Sequence, residues 1–520
     1  MTGRQRRGAE RGKMTASLPE PLALDIAGFS VVPSSLTYGD GVHYALVMDA
    51  DGERRLAVVA PRGSAQLDGL RGVASEYHGG VLLLSPLTSE NAAAMRSRLE
   101  WLRPRPLGLR TSVGLGDRLG LATPGHLQGL RAVGGDLAAI PAQQSIREMQ
   151  RTERTPQQVM DDAMWGVLAE GWQTGFGADA DHLKTTADID RCLAAGYTFY
   201  TFDPGEYVDN RAEHATIAQL QAALAELPWS DLEDSPAALA ARYLAQPFAC
   251  DEYPIRFDEL TLLRAAVKYG RAIAHVLRLY RHLAAAGAGR DWEVEVSVDE
   301  TELPTTHAEH LYIATEMRRL GVRWVSLAPR YIGQFEKGVD FIGDVAAFEA
   351  DFAGHAAIAR CCGPYKLSLH SGSDKFSIYA ACARQTRGLV HLKTAGTSYL
   401  EALRTIATRE PDLLRAIYQF ARVRFEDDRA SYHLSARLDR APEPATLADR
   451  NLPLLLEQND ARQILHVTFG SVLTARNADG SRRYYDPLMH ALRLHSAAYA
   501  ADLCAHFVRH VRPFTVDDRD

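Results

Sequence analysis

Eight short β-prone segments, most of them separated by helical stretches, set the strongest limit on how this chain folds. They are Thr111–Gly114, Leu137–Pro141, Thr174–Ala178, Tyr197–Phe202, Glu293–Val298, Trp324–Ala328, Lys366–Leu369 and Leu389–Leu392. Helical patterns such as Asp188–Ala195, His307–Leu320 and Val345–Cys361 lie between them. Strand–helix alternation implies parallel strands joined by crossover helices. Eight such units predict an α/β fold of the (β/α)8, TIM-like barrel type. A dinucleotide fold is disfavoured at the first turn. Gly114-Leu115-Gly116-Asp117-Arg118-Leu119-Gly120 has GxGxxxG spacing, and Pro124-Gly125 would interrupt the phosphate-binding helix.

The chain has 520 residues, enough for one elaborated barrel with additions. Residues 15–105 read as a small N-terminal α/β unit. Tyr44–Met48 and Leu56–Val59 flank the turn Asp49-Ala50-Asp51-Gly52, Val81–Leu84 is another strand, and residues 88–102 are an amphipathic helix. The stretch Arg103-Pro104-Arg105-Pro106 is a linker. The barrel is expected over 106–400, with a helical insertion at about 205–285 that is too long for one crossover. Residues 401–520 carry helical periodicity and are expected to pack on the barrel as a helical region.

Charge narrows the partners. Lys and Arg number 58 against 65 Asp and Glu, a net −7 that argues against broad nucleic-acid binding. The first 14 residues are a local exception, with Arg4, Arg6, Arg7, Arg11 and Lys13 against Glu10; they are expected to be a disordered tail, or to precede a true start at Met14. No apolar signal segment follows them, and no uninterrupted apolar run is long enough for a membrane helix. Cys192, Cys250, Cys361, Cys362, Cys382 and Cys504 show no C-x-x-C spacing, so reduced thiols and a cytoplasmic location are expected.

Polar residues gather at or just past the ends of the predicted strands: Asp117 and Arg118; Gln143, Gln144, Ser145 and Arg147; Asp179, Asp181, His182 and Lys184; Asp203; Asp299 and Glu300; Arg330; His370 through Lys375; and Lys393 with Thr394. In a barrel these positions share one rim, where active sites sit. His182 and His370 both follow apolar runs and have acidic neighbours, a pattern suited to a divalent metal. His307 and His310 open a helix after Pro304-Thr305-Thr306, and His310 is a further ligand candidate. Asp188 reads as a helix cap.

Longer strings carry a resemblance. GFGADADHLKTTADID, EVSVDETELPTT, SLAPRYIGQFEKGVDFIGD and KLSLHSGSDKFSIY, with AQQSIREMQRTERTPQQVMDDAMWGV and LHVTFGSVL, resemble the tagaturonate epimerase family from about Ser112 onward. Where a TTP-like stretch is expected, this chain has Thr305-Thr306-His307, which counts against His307 as a ligand of that family. The resemblance implies interconversion of D-tagaturonate and D-fructuronate, two keto-uronates, with a divalent metal. Two histidines and carboxylates suit Zn²⁺, Mn²⁺, Fe²⁺, Co²⁺ or Ni²⁺.

The two sugars differ at C4, which is β to the ketone, so simple enolisation does not make that hydrogen acidic. Cleavage of C3–C4 by a retro-aldol step, followed by recombination on the other aldehyde face, inverts the carbon. The expected roles follow. His182 and His370, with His310, hold the metal, and Asp181 and Glu300 exchange protons. Arg147 or Arg330, with Arg118, clamp the carboxylate, while Lys184, Lys375 and Lys393 bind sugar oxygens. A metal-dependent sugar-acid aldolase and a non-catalytic sugar-acid binding protein are the alternatives. Homo-oligomerisation stays open.

Overall fold

The computed structural model describes residues 25–515. They divide into two compact units that meet at Leu99 and Glu100. The basic tail lies outside the described residues.

The first unit is an antiparallel sheet of β1 (Ser30–Val31), β2 (Thr37–Gly39), β3 (Val42–Met48), β4 (Arg54–Ala60), β5 (Val73–Tyr77) and β6 (Gly80–Pro86), followed by helix Ser89–Arg98. Its core is Ile26, Val47, Ala57, Val59 and Leu82, with Phe29, Val31, Tyr77 and Leu84 packed against them. The Asp49 to Gly52 turn joins β3 to β4, and Asp49 Oδ1 accepts the backbone N–H groups of Asp51 and Glu53.

The second unit is built on β7 (Ser112–Gly114), β8 (Ala138–Ile140), β9 (Ala142–Ser145), β10 (Ala178–Leu183), β11 (Phe199–Phe202), β14 (Glu293–Val298), β15 (Ser326–Pro329), β16 (Lys366–Leu369) and β17 (Val390–Lys393). Every pairing among them is parallel, in the order β8-β7-β17-β16-β15-β14-β11-β10-β9. The two ends of that list are consecutive in the chain. Pro141 has no N–H to give a ladder, so it splits one strand into β8, which pairs with β7, and β9, which pairs with β10. The sheet therefore returns on itself as the eight-unit barrel of the (β/α)8 type.

The third strand begins where the sequence reading ends it. Thr174–Ala178 is expected, but β10 starts at Ala178 and carries Asp179, Asp181 and His182 within it rather than after it. The region between β11 and β14 holds helices Ile217–Ala225 and Pro236–Leu244, the hairpin β12 (Phe248–Cys250) and β13 (Tyr253–Ile255), and the long helix Glu259–Ala286. After β17 the described chain is helical. No helix among the described residues is long and apolar enough to cross a membrane.

The barrel strands alternate in an unusual sense. Val294, Val296, Val298, Leu367, Leu369, Val390 and Leu392 are buried, and so are Glu293, Glu295, Lys366, Ser368, His391 and Lys393, which alternate with them. Successive side chains on a strand face opposite sides, so in β14, β16 and β17 one face is apolar and the other polar, while Phe199 of β11 joins the polar set from its own strand. The polar set meets itself: Lys366 Nζ donates to Ser112 Oγ at 2.9 Å, Ser112 Oγ lies 2.9 Å from His391 Nδ1, and Thr201 Oγ1 donates to Asp179 Oδ1 at 2.8 Å. The inside of this barrel is an ionic and hydrogen-bonded layer, and the apolar packing lies outside it.

Candidate functional site

Lys393 organises that layer. Its Nζ lies 2.9 Å from Asp179 Oδ2, 2.7 Å from Asp181 Oδ1, 2.7 Å from Glu295 Oε1 and 2.8 Å from Thr201 Oγ1. The ammonium is buried, and although burial opposes its charge, the three carboxylates hold its pKa well above the usual lysine range. The carboxylates respond unequally. Burial pushes Asp179 up to about 7, against Lys393 and with help from Asp181 and Glu295. Asp181 and Glu295 are also buried, but Lys393 and the neighbouring histidines keep both well below the ordinary carboxyl range. Lys393, which the sequence reading expects to bind sugar oxygens, is a buried neutralising centre for these three carboxylates.

Toward the mouth this layer meets the histidine pair. The register of β10 against β11 shifts between Ala180 and Leu183, and His182 has φ 53°, a left-handed conformation uncommon for a residue with a Cβ. This irregularity lets the consecutive residues Asp181 and His182 belong to one cluster with His370, which follows β16. His370 Nδ1 lies 3.3 Å from His182 Nε2, and His182 Nε2 lies 3.9 Å from Asp181 Oδ1. Each ring is anchored from behind by a carboxylate. His182 Nδ1 lies 3.2 Å from Asp203 Oδ2, and His370 Nε2 lies 2.5 Å from Glu295 Oε1. Asp299 Oδ1 is 3.6 Å from His370 Nδ1.

This donor set fits a divalent metal. With the outer ring nitrogens donating to Asp203 and Glu295, the facing nitrogens present lone pairs beside the Asp181 carboxylate, the arrangement by which carboxylates orient metal-bound imidazoles. The electrostatics agree. Burial opposes charge on His182, yet Asp181 and Asp203 push it up to about 10, so the surroundings favour a positive charge at this spot. A proton or a metal ion satisfies them equally.

A cleft of about 350 Å³ opens beside the pair, lined by Arg147, Asp299, Glu300, Arg330, Lys337, Tyr432 and other residues. Arg147 Nη2 meets Glu300 Oε1 at 3.1 Å, both half-exposed, and Lys337 Nζ donates to Ser371 Oγ at 3.0 Å. The remaining expected residues fall differently. Arg118 is buried against Glu148 at 2.6 Å and lies over the Phe469 ring, but its Nη1 has no partner and it lines the inner pocket with Gln143 and Ser145. Lys375 also lines that pocket, with its Nζ donating to the carbonyls of Glu336, Val339 and Ser373. Lys184 pairs with Asp203 at 3.6 Å and Glu206 at 3.3 Å. Arg330 turns its Nη1 to the Thr301 carbonyl. His310 is not brought to the pair; its ring nitrogens meet His355 and the Tyr365 hydroxyl in the helical layer. Asp188 caps helix Thr186–Ala195 in a box with Thr185.

Sequence reasoning missed Glu295 and underused Asp203 and Asp299. Glu295 had a readable signal, since Glu293-Val294-Glu295-Val296-Ser297-Val298 alternates strictly and places its carboxylates on one face.

The fold and this mouth define the class: an α/β barrel enzyme with a histidine–carboxylate centre among its strand ends. The chain belongs to the tagaturonate epimerase family, whose model matches residues 33–514. It is 41% identical over 485 residues to the tagaturonate/fructuronate epimerase of Thermotoga maritima, covering 93% of this chain and 96% of that one. The native crystal structure of fructuronate-tagaturonate epimerase UxaE from Cohnella laeviribosi superposes with a TM-score of 0.88 at 38% identity, over 94% of this chain and 97% of that one. A glycerol complex of the same enzyme gives a TM-score of 0.87 at 38% identity, over 94% and 96% of the two chains.

Proposed function

We propose that this protein interconverts D-tagaturonate and D-fructuronate at the barrel mouth by cleaving and re-forming C3–C4. The observation that carries the reading is the facing pair of ring nitrogens on His182 and His370, each backed by its own carboxylate. His182, His370 and Asp181 would hold a divalent cation, one of Zn²⁺, Mn²⁺, Fe²⁺, Co²⁺ or Ni²⁺. Such an ion supplies Lewis-acid stabilisation of the negative charge that C3–C4 cleavage creates. Asp181, expected from the sequence to exchange protons, is reassigned here to the ligand set, because Lys393 and the histidines keep it ionised.

The rest falls to the chain's own side chains. Glu300 stands at the cleft, 3.1 Å from Arg147 Nη2, and takes the C4 hydroxyl proton. Asp299, 3.6 Å from His370, would exchange the proton on the opposite face. The unpartnered Nη1 of Arg118 offers the inner pocket a buried donor for the substrate carboxylate, and Arg147 and Arg330 offer others at the rim. Lys337, which lines the cleft and donates to Ser371, would reach sugar oxygens by exchanging that bond, whereas Lys184 is held by Asp203 and Glu206. Six unpaired thiols suit a reducing cytoplasm.

The test is one reaction: purified protein with D-tagaturonate, followed by NMR with and without chelator. Appearance of D-fructuronate that chelation stops is the expected result. Release of free three-carbon fragments would instead make the protein an aldolase, and no turnover under any metal would make it a binding protein.

A further inference from the structure

A second histidine–carboxylate group lies away from the mouth, between helices His307–Arg319 and Val345–Cys362. Asp351 and His355 sit one turn apart on the second helix, i and i+4, and so share a face. His307 is the first residue of the first helix, fixed there by a Thr306–Glu309 capping box. His307 Nε2 lies 3.3 Å from Asp351 Oδ1, and His355 Nε2 lies 3.6 Å from Asp351 Oδ2. All three ligand atoms fall within 4.8 Å of one another. Around a tetrahedral ion with bonds of about 2.0–2.1 Å, neighbouring ligand atoms are about 3.4 Å apart. Both nitrogen–oxygen distances are close to that spacing, although they run to different oxygens of Asp351, so the carboxylate faces both rings at once.

Independent features point the same way. The His355 ring is fully buried, and its Nε2 and Asp351 Oδ2 face each other at 3.6 Å, just beyond hydrogen-bond distance, with no other partner within it. Buried polar atoms are rarely left so loosely paired, so the pair calls for an explanation. The other side of the His355 ring is held: its Nδ1 lies 2.9 Å from His310 Nδ1, and His310 Nε2 lies 2.8 Å from the Tyr365 hydroxyl. With His355 Nδ1–H donating to His310, and His310 Nε2–H donating to Tyr365, the lone pair of His355 Nε2 faces Asp351. Gly354 makes room for the third ligand, since a Cβ there would lie 2.4 Å from His307 Cε1. The His307 and Asp351 side chains are 31% and 24% exposed, which gives an ion a way in and leaves solvent to complete its coordination.

We infer that His307, Asp351 and His355 form a second divalent transition-metal site, distinct from the barrel mouth, that staples the two helices. The site takes a borderline cation of the Zn²⁺ or Co²⁺ type, with His310 and Tyr365 orienting its buried ligand. His307 Nε2–H donates to the Asp351 carbonyl at 2.9 Å; when the ion binds at Nε2, the ring holds it as the neutral Nδ1–H tautomer, and any second ring proton is released to solvent.

The test uses the full-length protein, stripped with chelator, loaded with Zn²⁺ alone and desalted before elemental analysis. His307→Ala and Asp351→Asn are each expected to carry about one ion per chain fewer than the unsubstituted protein. A second arm removes the mouth: a His182→Ala, His370→Ala double variant titrated with Co²⁺ should still develop the visible absorption of tetrahedral cobalt. Adding His307→Ala should abolish that absorption. Equal zinc content in all forms, or a cobalt spectrum indifferent to His307, overturns the site. Unfolding midpoints in chelator separate loss of metal from loss of fold, and His307→Gln replaces the alanine variant if the latter unfolds.

Discussion

Two buried clusters of this barrel unit have the same composition, two histidines and one aspartate, and opposite wiring. At the mouth, His182 and His370 turn a nitrogen toward each other while carboxylates hold their far sides. In the other, Asp374 Oδ1 takes His506 Nε2 at 2.8 Å, Asp374 Oδ2 takes Arg462 at 2.9 Å, and His510 Nε2 accepts the Asp374 backbone N–H at 3.0 Å. His510 Nδ1 is spent on the His506 carbonyl at 3.2 Å, and burial pushes this imidazole down to about 3, so it stays neutral. The ring nitrogens and carboxylate oxygens there all have partners, and together with Arg462 and Glu401 they tie helix Ser496–Val511 to the loop after β16. Residue type alone does not tell a reactive centre from a clasp. What tells them apart is which lone pairs are left over.

The sharpest way to break this contrast is His370→Ala. Turnover should fall by at least about 10⁴-fold while the unfolding midpoint shifts little; retained turnover removes the mouth from the chemistry. Lys393→Met comes next. It leaves Asp179, Asp181 and Glu295 facing one another without a cation, and should cost about 3–5 kcal/mol in denaturant unfolding. His510→Ala should cost about 2–4 kcal/mol but leave bound metal and turnover per folded molecule unchanged, and a loss of metal would erase the distinction between the clusters.

Glu295→Gln tests the carboxylate behind the ring. Metal affinity should weaken about 10–100-fold, read by competition with a chromophoric chelator. The last test concerns pH. Asp179 has its folded pKa raised to about 7, so the folded state binds the extra proton between the unfolded carboxyl value near 4 and 7. This group therefore stabilises at low pH and loses that contribution as pH rises through the window. Asp179→Asn should flatten the stability profile there by up to about 1.4 kcal/mol per pH unit, and an unchanged slope would place the proton elsewhere.

Much of the barrel was legible because parallel strands under helices keep runs such as Lys366–Leu369 and Glu293–Val298 short and bounded. The third strand was misplaced because Asp179 and Asp181 look like loop residues, and only a polar barrel interior gives them a reason to sit in a strand. The polar interior also hid the role of Lys393, which the sequence places on the rim, and of Glu295, which the sequence reading gave no role. His182 and His370 were found because histidines after apolar runs stand out. His310 misled because a histidine on the first turn of a helix reads the same whether it faces the mouth or the neighbouring helix. The hairpin Phe248–Ile255 inside the insertion gave too short a pattern to separate from helix ends.

The polar barrel interior bears on how this enzyme can change. In a barrel filled by aliphatic side chains, volume-conserving swaps in the inner layer can repack the scaffold without touching the chemistry above it. Here the scaffold's inner layer and the reactive centre are one continuous set of charges, joined through Lys393, Glu295 and His370. Stabilising substitutions drawn from that layer would be paid for in activity. The room to adapt this protein to heat lies instead in the valine and leucine shell between strands and helices, where a methyl group can be added without moving a proton.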